Sequence, residues 1–502
     1  MSIVAGISGF RRNAAVALAR SGNLTAVCEQ GRLSRVRDVG IETGGFPDEA
    51  LQATIEIAQI SRESLKEMVV AEEGIDLLEQ SELHRFDHHL GHAATAFLTS
   101  ALDEAFVLVC DTNTGRELTV WRGADGKLEE VPLGWEGPGF ASVYSRLTEG
   151  LSLRPGRDEY RVEALARLGC TTDSGRVSSL LRKVENGIEV DPAFDDFVAE
   201  ALSGGRDAMA AAAGAVQCRL GELLLEFLRD LYKHTELPSI CVGGGLFFNT
   251  YLNTLLRQSG IFKNVFVPVN PGNAGVSAGC ALLYEASRSS VHFEPRLVSP
   301  FLGPSFTNEE IKGVLDNCKL SYDFLDDGAL LTRTVDALTR GELVGWFRGR
   351  LEWGTRALGN RSIFANPFAP YVLENLNQFL KHREAHRTYG LAVRLEDVSL
   401  FFEGPLSSPY MECEYTFRDP SRFSSVLPLG VDRVRVQTVD SSQPLLRDLL
   451  AKFEEATGTP VLVNTSFNGF HEPIVCSPRD AVRVFYGTGL DMLVTGSFVI
   501  RK

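Results

Sequence analysis

The chain has 502 residues, of which 44% are hydrophobic and 23% are charged, and its formal net charge is −15. A chain of this length is expected to form two or more domains, and its acidity disfavours general nucleic-acid binding. It has no uninterrupted apolar stretch that predicts a membrane span, and its nine scattered cysteines, none in a CxxC pair, indicate a reducing cytoplasm rather than a disulfide framework or zinc ribbon.

Strand-like and helical runs alternate through the first half of the chain, which indicates α/β layers. The first residues, MSIVAGISGF, lack the pattern of a signal peptide and predict a buried strand that ends at a glycine turn. Further strands are predicted at EAFVLVCD and SICVGGG, and a long amphipathic helix is predicted over residues 207–233. Prolines between Glu294 and Pro304 mark a break, so we place a domain boundary near Ser299.

The second half of the chain begins afresh after this boundary. Thr307, followed three positions later by Glu310, predicts a capping box at the start of a helix. A strand is predicted at ELVGWFRG, and the chain closes with the strand PVLVNTSFN, the helix SPRDAVRVFYGTG and the strand MLVTGSFVI. The sequence therefore predicts two α/β domains, residues 1–298 and 299–502.

Three histidines fall within five residues in the segment FDHHLGHAATAF. On a helix, His88 and His92 lie one turn apart on the face opposite the apolar stripe. That spacing lets two imidazoles share a metal ion, and a pair of polar surface histidines is an alternative of equal weight. A zinc protease is disfavoured, because the HExxH motif needs glutamate where this chain has His89.

Asp111 ends the hydrophobic strand VLVC and precedes a polar glycine loop. A carboxylate at the C-terminal end of a strand is well placed to face a cleft, so Asp111 could complete a site with His88 and His92. Taken alone, the residue fits a turn-capping role better, since Asp readily bonds nearby backbone in turns.

Two glycine-rich loops follow in the first half. CVGGGLFFNT places Gly243, Gly244 and Gly245 between a strand and a helix, where backbone N–H groups could approach a phosphate. The run fits neither Walker A nor GxGxxG, so a simple turn of the chain is the alternative. PVNPGNAGVSAG allows close approach of backbone to a ligand, and Asn273 is the strong side-chain ligand at its centre.

The run GWFRGRLEWGTRALGNRS concentrates positive charge in an acidic chain. Arg348, Arg350, Arg356 and Arg361 fall within 14 residues, interleaved with tryptophans and glycines. Arginine binds phosphate or carboxylate with a planar fork, and we weight this interpretation about two to one over a solvated basic face. The loop NTSFNG adds short polar side chains suited to ribose or phosphate. Together these features point to phosphate or nucleotide chemistry without naming a substrate.

Six motifs carry a resemblance to a known family: HHLGHAATAF, VGGGLFFN, GRLEWGTRALGNRSI, SPYM, RVQTV and LVNTSFNGFHEPIVCSPRDAV. In this order they resemble the O-carbamoyltransferases, the family of NodU and tobramycin carbamoyltransferase, over nearly the whole chain. The resemblance implies an N-terminal threonylcarbamoyl-transferase-like domain of the actin and sugar-kinase superfamily, residues 1–298. It also implies a YrdC-like α/β domain that forms carbamoyladenylate, residues 299–502.

The family implies an ATP-dependent reaction in two steps. Carbamoyl phosphate and ATP react in the C-terminal domain, where carbamate is formed and adenylated with release of pyrophosphate. A hydroxyl of a small metabolite then attacks the carbamoyladenylate in the N-terminal domain, and AMP leaves. The expected setting is secondary metabolism in the cytoplasm, without nucleic acid or membrane, and with a homodimer left open. Two alternatives are an amine acceptor, and a nucleotide-binding regulatory or scaffold protein that has lost carbamoyl transfer.

The resemblance also implies roles for individual residues. Arg12, Asn13 and Arg37 stand where the family has His, Asp and Lys, so Arg12 and Arg37 are the candidate catalytic residues. A divalent metal, Fe2+ first with Mn2+, Zn2+ or Mg2+ as alternatives, is expected at His88, His92, Asp111 and Asn273, the last in place of a family Asp. The expected nucleotide- and substrate-binding residues are Gly243, Gly244, Gly245, Asn249, Arg356, Arg387, Arg435, Asn464, Ser466 and Asn468.

Overall fold

The computed structural model describes residues 3–71, 83–169, 174–185, 187–235, 237–288 and 294–502. Contacts divide the chain into two compact units. The first unit contains Met1–Phe10, Val16–Leu24 and Ser61–Val298, and the second contains Arg11–Ala15, Thr25–Ile60 and Ser299–Lys502. The contacts of Arg11–Ala15 and Thr25–Ile60 group these segments with the second unit, and the division into domains 1–298 and 299–502 stays a prediction.

The described strands up to residue 266 form two five-stranded sheets and one hairpin. They are β1 Ile3–Ser8, β2 Ala15–Arg20, β3 Asn23–Glu29, β4 Leu65–Ala71, β5 Leu83–Phe86, β6 Glu104–Cys110, β7 Leu118–Ala124, β8 Lys127–Val131, β9 Leu181–Val184, β10 Gly187–Val190, β11 Ser239–Gly243 and β12 Asn264–Phe266. The sheets have the orders β3-β2-β1-β4-β5 and β12-β11-β6-β7-β8, with β9 and β10 as the hairpin. When the strands of each sheet are numbered from the first strand of that sheet, the first sheet has the order 3-2-1-4-5. The second sheet has the same order when it is read from β8 to β12, so the same topology occurs twice.

Eleven α-helices accompany these strands in the described part of the chain. They are α1 Gln30–Ser34, α2 Ile41–Gly44, α3 Asp48–Ala58, α4 His88–Leu98, α5 Phe140–Gly150, α6 Glu159–Gly169, α7 Ser174–Leu180, α8 Ala193–Ser203, α9 Arg206–Thr235, α10 Thr250–Gln258 and α11 Asn273–Ala286. Helix α9 confirms the long helix predicted over residues 207–233. By length and composition it could cross a membrane, contrary to the sequence expectation, but 67% of its apolar window is buried, as in a core helix.

Helix α4 carries the histidine segment and packs closely against α11. A Cβ at Gly91 would lie 2.7 Å from Val276 Cγ1, and a Cβ at Gly279 would overlap the carbonyl oxygen of Gly91. Because neither glycine leaves room for a side chain, the two helices approach each other closely. This contact buries α4 and sets the position of its histidines.

The second unit contains a ten-stranded sheet. Its strands are β13 Asp323–Phe324, β14 Val344–Phe347, β15 Arg361–Ala365, β16 Gly390–Arg394, β17 Phe402–Glu403, β18 Glu414–Phe417, β19 Arg433–Val439, β20 Val461–Ser466, β21 Met492–Thr495 and β22 Phe498–Arg501. The strand order is β13-β22-β21-β14-β15-β20-β16-β19-β18-β17. Along β16, Leu391 and Val393 join one apolar cluster and Ala392 joins another, since successive side chains point to opposite faces. Apolar cores therefore cover both faces of the sheet.

The later helices are α12 Asn308–Asn317, α13 Asp327–Thr339, α14 Val372–Glu374, α15 Val398–Phe401, α16 Pro444–Thr457 and α17 Pro478–Gly487. The capping box predicted at Thr307 and Glu310 is confirmed at the start of α12. The strand predicted at MLVTGSFVI is instead two strands, β21 and β22, because the chain turns at Gly496, where φ is +55°. The second half is thus a mixed α/β unit, as the alternation of patterns predicted.

Candidate functional site

Three predicted metal ligands lie together in the first unit. His88 Nε2 lies 3.0 Å from His92 Nε2 and 3.2 Å from Asp111 Oδ2. One possible ligand atom of each residue lies within 4.8 Å of the other two. All three side chains are buried, so the alternative of polar surface histidines is wrong. Two imidazoles and one carboxylate that converge in this way match a ligand set used by Fe2+ and Zn2+ in proteins.

Two parallel strands bring Asp111 to this metal cluster. β6 and β11 pair in parallel, so both end at the same edge of their sheet. Just beyond β11, Gly244 has a φ of +96°, and a Cβ there would overlap the carbonyl oxygen of Cys110. Only glycine fits, and the N–H of the following Gly245 donates to Asp111 Oδ1 at 3.1 Å. Oδ1 is thereby held by the backbone, while Oδ2 faces the histidines.

The triple glycine, predicted to approach a phosphate, packs against the metal cluster. A Cβ at Gly243 would lie 3.0 Å from the carbonyl oxygen of His92. The N–H of Gly244 donates to Pro271 O at 2.8 Å, and that of Gly245 serves Asp111. These contacts give the run a structural role beside the cluster, and its role in nucleotide binding stays a prediction.

Asn249, another predicted substrate ligand, caps helix α10. Its Oδ1 accepts a hydrogen bond from Leu252 N at 3.1 Å, and its Nδ2 donates to Gln217 Oε1 at 2.8 Å. Both ends of the amide are therefore used inside the first unit, and a role in substrate binding stays a prediction.

The pKa shifts of Asp111 and His92 favour the forms of these residues that bind a metal. Burial raises the pKa of Asp111, but hydrogen bonds from His88 and His92 outweigh this effect and hold the pKa well below its usual value. Burial, and then the neighbouring His88, lower the pKa of His92. An ionised carboxylate and a neutral imidazole are the forms that bind metal ions.

Asn273 reaches the cluster through a second amide. Asn113 Nδ2 donates to Asp111 Oδ2 at 2.7 Å and to Asn273 Oδ1 at 2.9 Å. The N–H of Asn113 also donates to Asp111 Oδ2, at 3.0 Å. The sequence reading missed Asn113, although the polar loop DTNTG directly after the strand was a signal for it. A ligand role for Asn273 stays a prediction.

The candidate catalytic arginines belong to the second unit by their contacts. Arg12 lies in Arg11–Ala15 and Arg37 lies in Thr25–Ile60. Arg37 is 41% exposed, and its guanidinium lies 3.5 Å from the carboxylate of Asp38. The structure therefore groups neither arginine with the metal cluster, and their catalytic role stays a prediction.

Three of the four clustered arginines have structural roles in the second unit. Arg350 and the fully buried Arg361 donate to backbone carbonyl groups. The guanidinium of Arg361 also stacks over the ring of Phe347, 3.7 Å from its centroid. Arg348 pairs with Asp327 at 2.9 Å. The interpretation of this run as an anion-binding cluster is therefore corrected, and Arg356, which is half-buried, remains as the candidate ligand.

Hydrogen bonds tie the loop that carries Arg356 to strands β19 and β20. Gln437 Nε2 donates to Leu358 O at 2.8 Å, and Asn464 Nδ2 donates to Gln437 Oε1 at 2.7 Å. Arg435 lies two residues before Gln437 on β19, so both side chains emerge on the same face of the strand. The structure thus brings the Arg356 loop, Arg435 and Asn464 to one face of the sheet.

A buried lysine completes this group. Lys381 Nζ donates to Ser466 O and to Asn468 Oδ1, each at 2.6 Å. Burial, and then the guanidinium groups of Arg383 and Arg387, lower the pKa of Lys381 well below its ordinary value. We call Lys381, Arg383 and Arg387 the cationic cluster. The sequence reading named Arg387 and missed the other two, although the basic character of KHREAHR was a signal for them.

Two family models cover most of the chain. The model described as Carbamoyltransferase N-terminus matches residues 50–282, and the one described as Carbamoyltransferase C-terminus matches residues 335–502. The chain belongs to the carbamoyltransferase family. This carbamoyltransferase is 31% identical over 473 residues to an uncharacterized protein of Synechocystis sp., a match that covers 83% of this chain and 76% of that protein.

Two named relatives agree with the family. Nodulation protein NolO of Bradyrhizobium diazoefficiens is 33% identical over 294 residues, which cover 57% of this chain and 54% of NolO. The 3'-hydroxymethylcephem-O-carbamoyltransferase of Amycolatopsis lactamdurans is 30% identical over 282 residues, 55% of this chain and 52% of that enzyme. The matches thus span about half of each relative. They confirm the resemblance to the O-carbamoyltransferases, and with the family models they show that the protein is an enzyme of the transferase class.

Solved structures resemble the carbamoyltransferase only weakly. Component A of the (R)-2-hydroxyglutaryl-CoA dehydratase of Acidaminococcus fermentans matches with a TM-score of 0.37 and 15% identity, over 57% of this chain and 100% of that chain. Because this TM-score is low, the description of the fold rests on the strand orders given above.

Proposed function

We propose that this carbamoyltransferase forms carbamoyladenylate from ATP and carbamoyl phosphate and transfers the carbamoyl group to a hydroxyl of a small metabolite. One observation carries the proposal: residues suited to two different steps lie in two different units, the metal cluster in the first and the cationic cluster in the second. Family membership supports carbamoyl transfer. The Amycolatopsis relative, a 3'-hydroxymethylcephem-O-carbamoyltransferase, supports transfer to oxygen.

The second unit binds the phosphate groups in this proposal. Lys381 donates its three N–H groups to uncharged oxygens of Ser466 and Asn468, so none of these partners neutralises it, and in the ammonium form it would attract a nearby phosphate through charge alone. Water hydrolyses carbamoyl phosphate to phosphate and carbamate; a carbamate oxygen then bonds to the α-phosphorus of ATP, and the bond from that phosphorus to the pyrophosphate oxygen breaks. Arg356 and the cationic cluster stabilise the negative charge that spreads over the phosphate oxygens.

The first unit carries the transfer step in this proposal. His88, His92 and Asp111 would hold a divalent metal, with Fe2+ as the first expectation, and a metal there supplies positive charge to the phosphate of the departing AMP. The N–H of Gly245 and the amide of Asn113 keep the Asp111 carboxylate oriented toward the two imidazoles. The acceptor oxygen bonds to the carbamoyl carbon, its proton is released, and the bond from that carbon to the AMP oxygen breaks.

We also infer the fold families of the two halves. The twofold occurrence of the 3-2-1-4-5 sheet supports an actin and sugar-kinase superfamily fold for the first half. For the second unit we propose a YrdC-like fold, on the resemblance of its motifs. A cytoplasmic location, a possible homodimer and a small hydroxylated acceptor stay predictions.

The experiment that tests this function combines the purified protein with ATP, carbamoyl phosphate and a panel of hydroxylated acceptors. Pyrophosphate should appear only when both ATP and carbamoyl phosphate are present, and mass spectrometry should find one acceptor that gains a carbamoyl group. No pyrophosphate under any condition would contradict the proposal. A carbamoylated amine in place of a hydroxyl product would favour the amine alternative, and nucleotide binding without turnover would favour the regulatory or scaffold alternative.

A further inference from the structure

Three rings lie at the surface beside the cationic cluster. The ring centroids of His382 and Phe470 are 5.5 Å apart at an interplanar angle of 79°, and those of Phe470 and His471 are 4.0 Å apart at 54°. Phe470 is 50% exposed, and both histidines are exposed. We call these three residues the aromatic cluster. The cluster exposes a large ring surface to solvent, and this exposed surface adds no apolar burial to the fold.

The backbone of this cluster is strained. The φ angles are +44° at His382 and +56° at His471, in the left-handed region that residues with side chains adopt at a cost in energy. Packing in the core does not explain these angles, since both imidazoles are exposed. Strained backbone of this kind is found at ligand-binding positions, and here it occurs in both segments of the aromatic cluster.

The aromatic cluster lies directly next to the groups that bind phosphate in the proposed function. Lys381, which precedes His382, donates to Asn468 O at 3.0 Å and to Asn468 Oδ1 at 2.6 Å. Asn468 in turn lies two residues before Phe470. The two chain segments therefore contact each other twice. Lys381 and Asn468 form a part-buried polar pair, and His382 and Phe470 form an exposed pair of rings. These two rings lie one and two residues along the chain from Lys381 and Asn468, the pair beside the proposed phosphate site.

We propose that the aromatic cluster binds the adenine base of ATP, with the base stacked on Phe470 and flanked by His382 and His471. Adenine is the flat part of ATP, and stacking of a base on an aromatic side chain strengthens binding by roughly 5- to 150-fold. The inference rests on the proposed function, in which the phosphates of ATP lie at the cationic cluster. In this inference the aromatic cluster selects the adenine nucleotide, and the cationic cluster binds its phosphates.

The test compares two ligands that differ only by the base, AMP and ribose 5-phosphate, by calorimetric titration of the full chain. The parent should bind AMP at least about fivefold more tightly than ribose 5-phosphate. Phe470→Ala should remove most of that difference, because it should weaken the binding of AMP and leave the affinity for ribose 5-phosphate unchanged. Phe470→Trp should keep it. Phe324→Ala is the matched control, because Phe324 is also exposed, at 64%, on strand β13 of the same unit.

The outcomes separate this inference from the proposed function. A ratio of the two affinities that is the same in Phe470→Ala and the parent overturns the stacking assignment, even if pyrophosphate release is intact. A higher KM for the carbamoyl acceptor in Phe470→Ala, with the AMP ratio unchanged, also overturns it and assigns the rings to the acceptor. A parent that binds neither ligand and releases no pyrophosphate overturns the proposed function itself.

Discussion

The side-chain amide of Asn113 donates to Asn273 Oδ1 at 2.9 Å, and the same nitrogen donates to Asp111 Oδ2 at 2.7 Å. Position 273, where the resemblance implies an Asp, is therefore joined to the metal cluster by one amide group. An aspartate at position 273 would accept the same hydrogen bond and would add a negative charge next to the buried ligands. One substitution, Asn273→Asp, can therefore test how the charge at this position affects metal binding.

Asn273→Asp should tighten the binding of a divalent cation, because metal affinity rises with ligand charge when the geometry is kept. Calorimetric titration of parent and variant with Fe2+, Mn2+ and Zn2+ measures the change. Unchanged or weaker binding in the variant would mean that Asn273 is not a ligand. An absence of binding in both proteins would favour the regulatory or scaffold alternative.

His92→Ala should abolish metal binding and carbamoyl transfer and should leave pyrophosphate release largely intact, since the residues proposed for adenylation lie in the other unit. Both steps are assayed on the same preparation. His84→Ala is a suitable control, because His84 belongs to the same unit but is 48% exposed and pairs with Glu67. If both activities fall together while circular dichroism reports an intact fold, the assignment of the two steps to two units is wrong.

Arg356→Ala should lower pyrophosphate release by roughly 10- to 150-fold, the range expected when a hydrogen bond to a charged group is lost. Arg333→Ala is the control, since Arg333 lies on α13 of the same unit and is 43% exposed. The rate is followed with a coupled pyrophosphate assay at saturating ATP and carbamoyl phosphate. Equal rates in Arg356→Ala and the parent would remove Arg356 from the site.

Binding of ATP should be accompanied by proton uptake at Lys381. Burial and the two neighbouring arginines lower the pKa of this lysine, so the free protein favours the neutral amine more than an exposed lysine does. A phosphate beside Lys381 favours the ammonium form and raises the pKa again. Affinity for ATP should therefore increase as the pH falls toward the lowered pKa of the free protein. Titration calorimetry in buffers of different ionisation enthalpy counts the protons, and Lys381→Met should lose this uptake.

Glu352→Ala should destabilise the second unit. One oxygen of this fully buried carboxylate accepts from the N–H groups of Leu358, Asn360 and Arg361 at 2.8, 2.9 and 3.0 Å. The substitution leaves these buried donors without their acceptor, at about 1–3 kcal/mol each. The free energy of unfolding in urea should fall by several kcal/mol. Glu352→Gln, which keeps a carbonyl oxygen, should cost much less, and equal losses in both variants would contradict this account.

Local patterns determined much of the fold in advance. The capping box at Thr307 and Glu310 was predictable because its partners lie three residues apart. The pairing of His88 and His92 on one face of a helix was predictable for the same reason, since helical spacing sets the contact. The family motifs extended this reading to the carbamoyltransferase identity. In each case the residues that contact each other, or the motif that identifies the family, lie within one short stretch of the chain.

The tertiary structure decided which polar residues make contacts that hold the fold and which remain candidates for binding a ligand. Arg350 and Arg356 look equivalent in the sequence, yet Arg350 donates to the carbonyl oxygen of Thr25, which is 325 positions away. Lys381 is one of several basic residues in its run, and its contact with Asn468, 87 positions away, makes it a buried cation beside the proposed nucleotide site. Burial and hydrogen-bond partners depend on residues that only the folded chain brings together, so no local pattern encodes them.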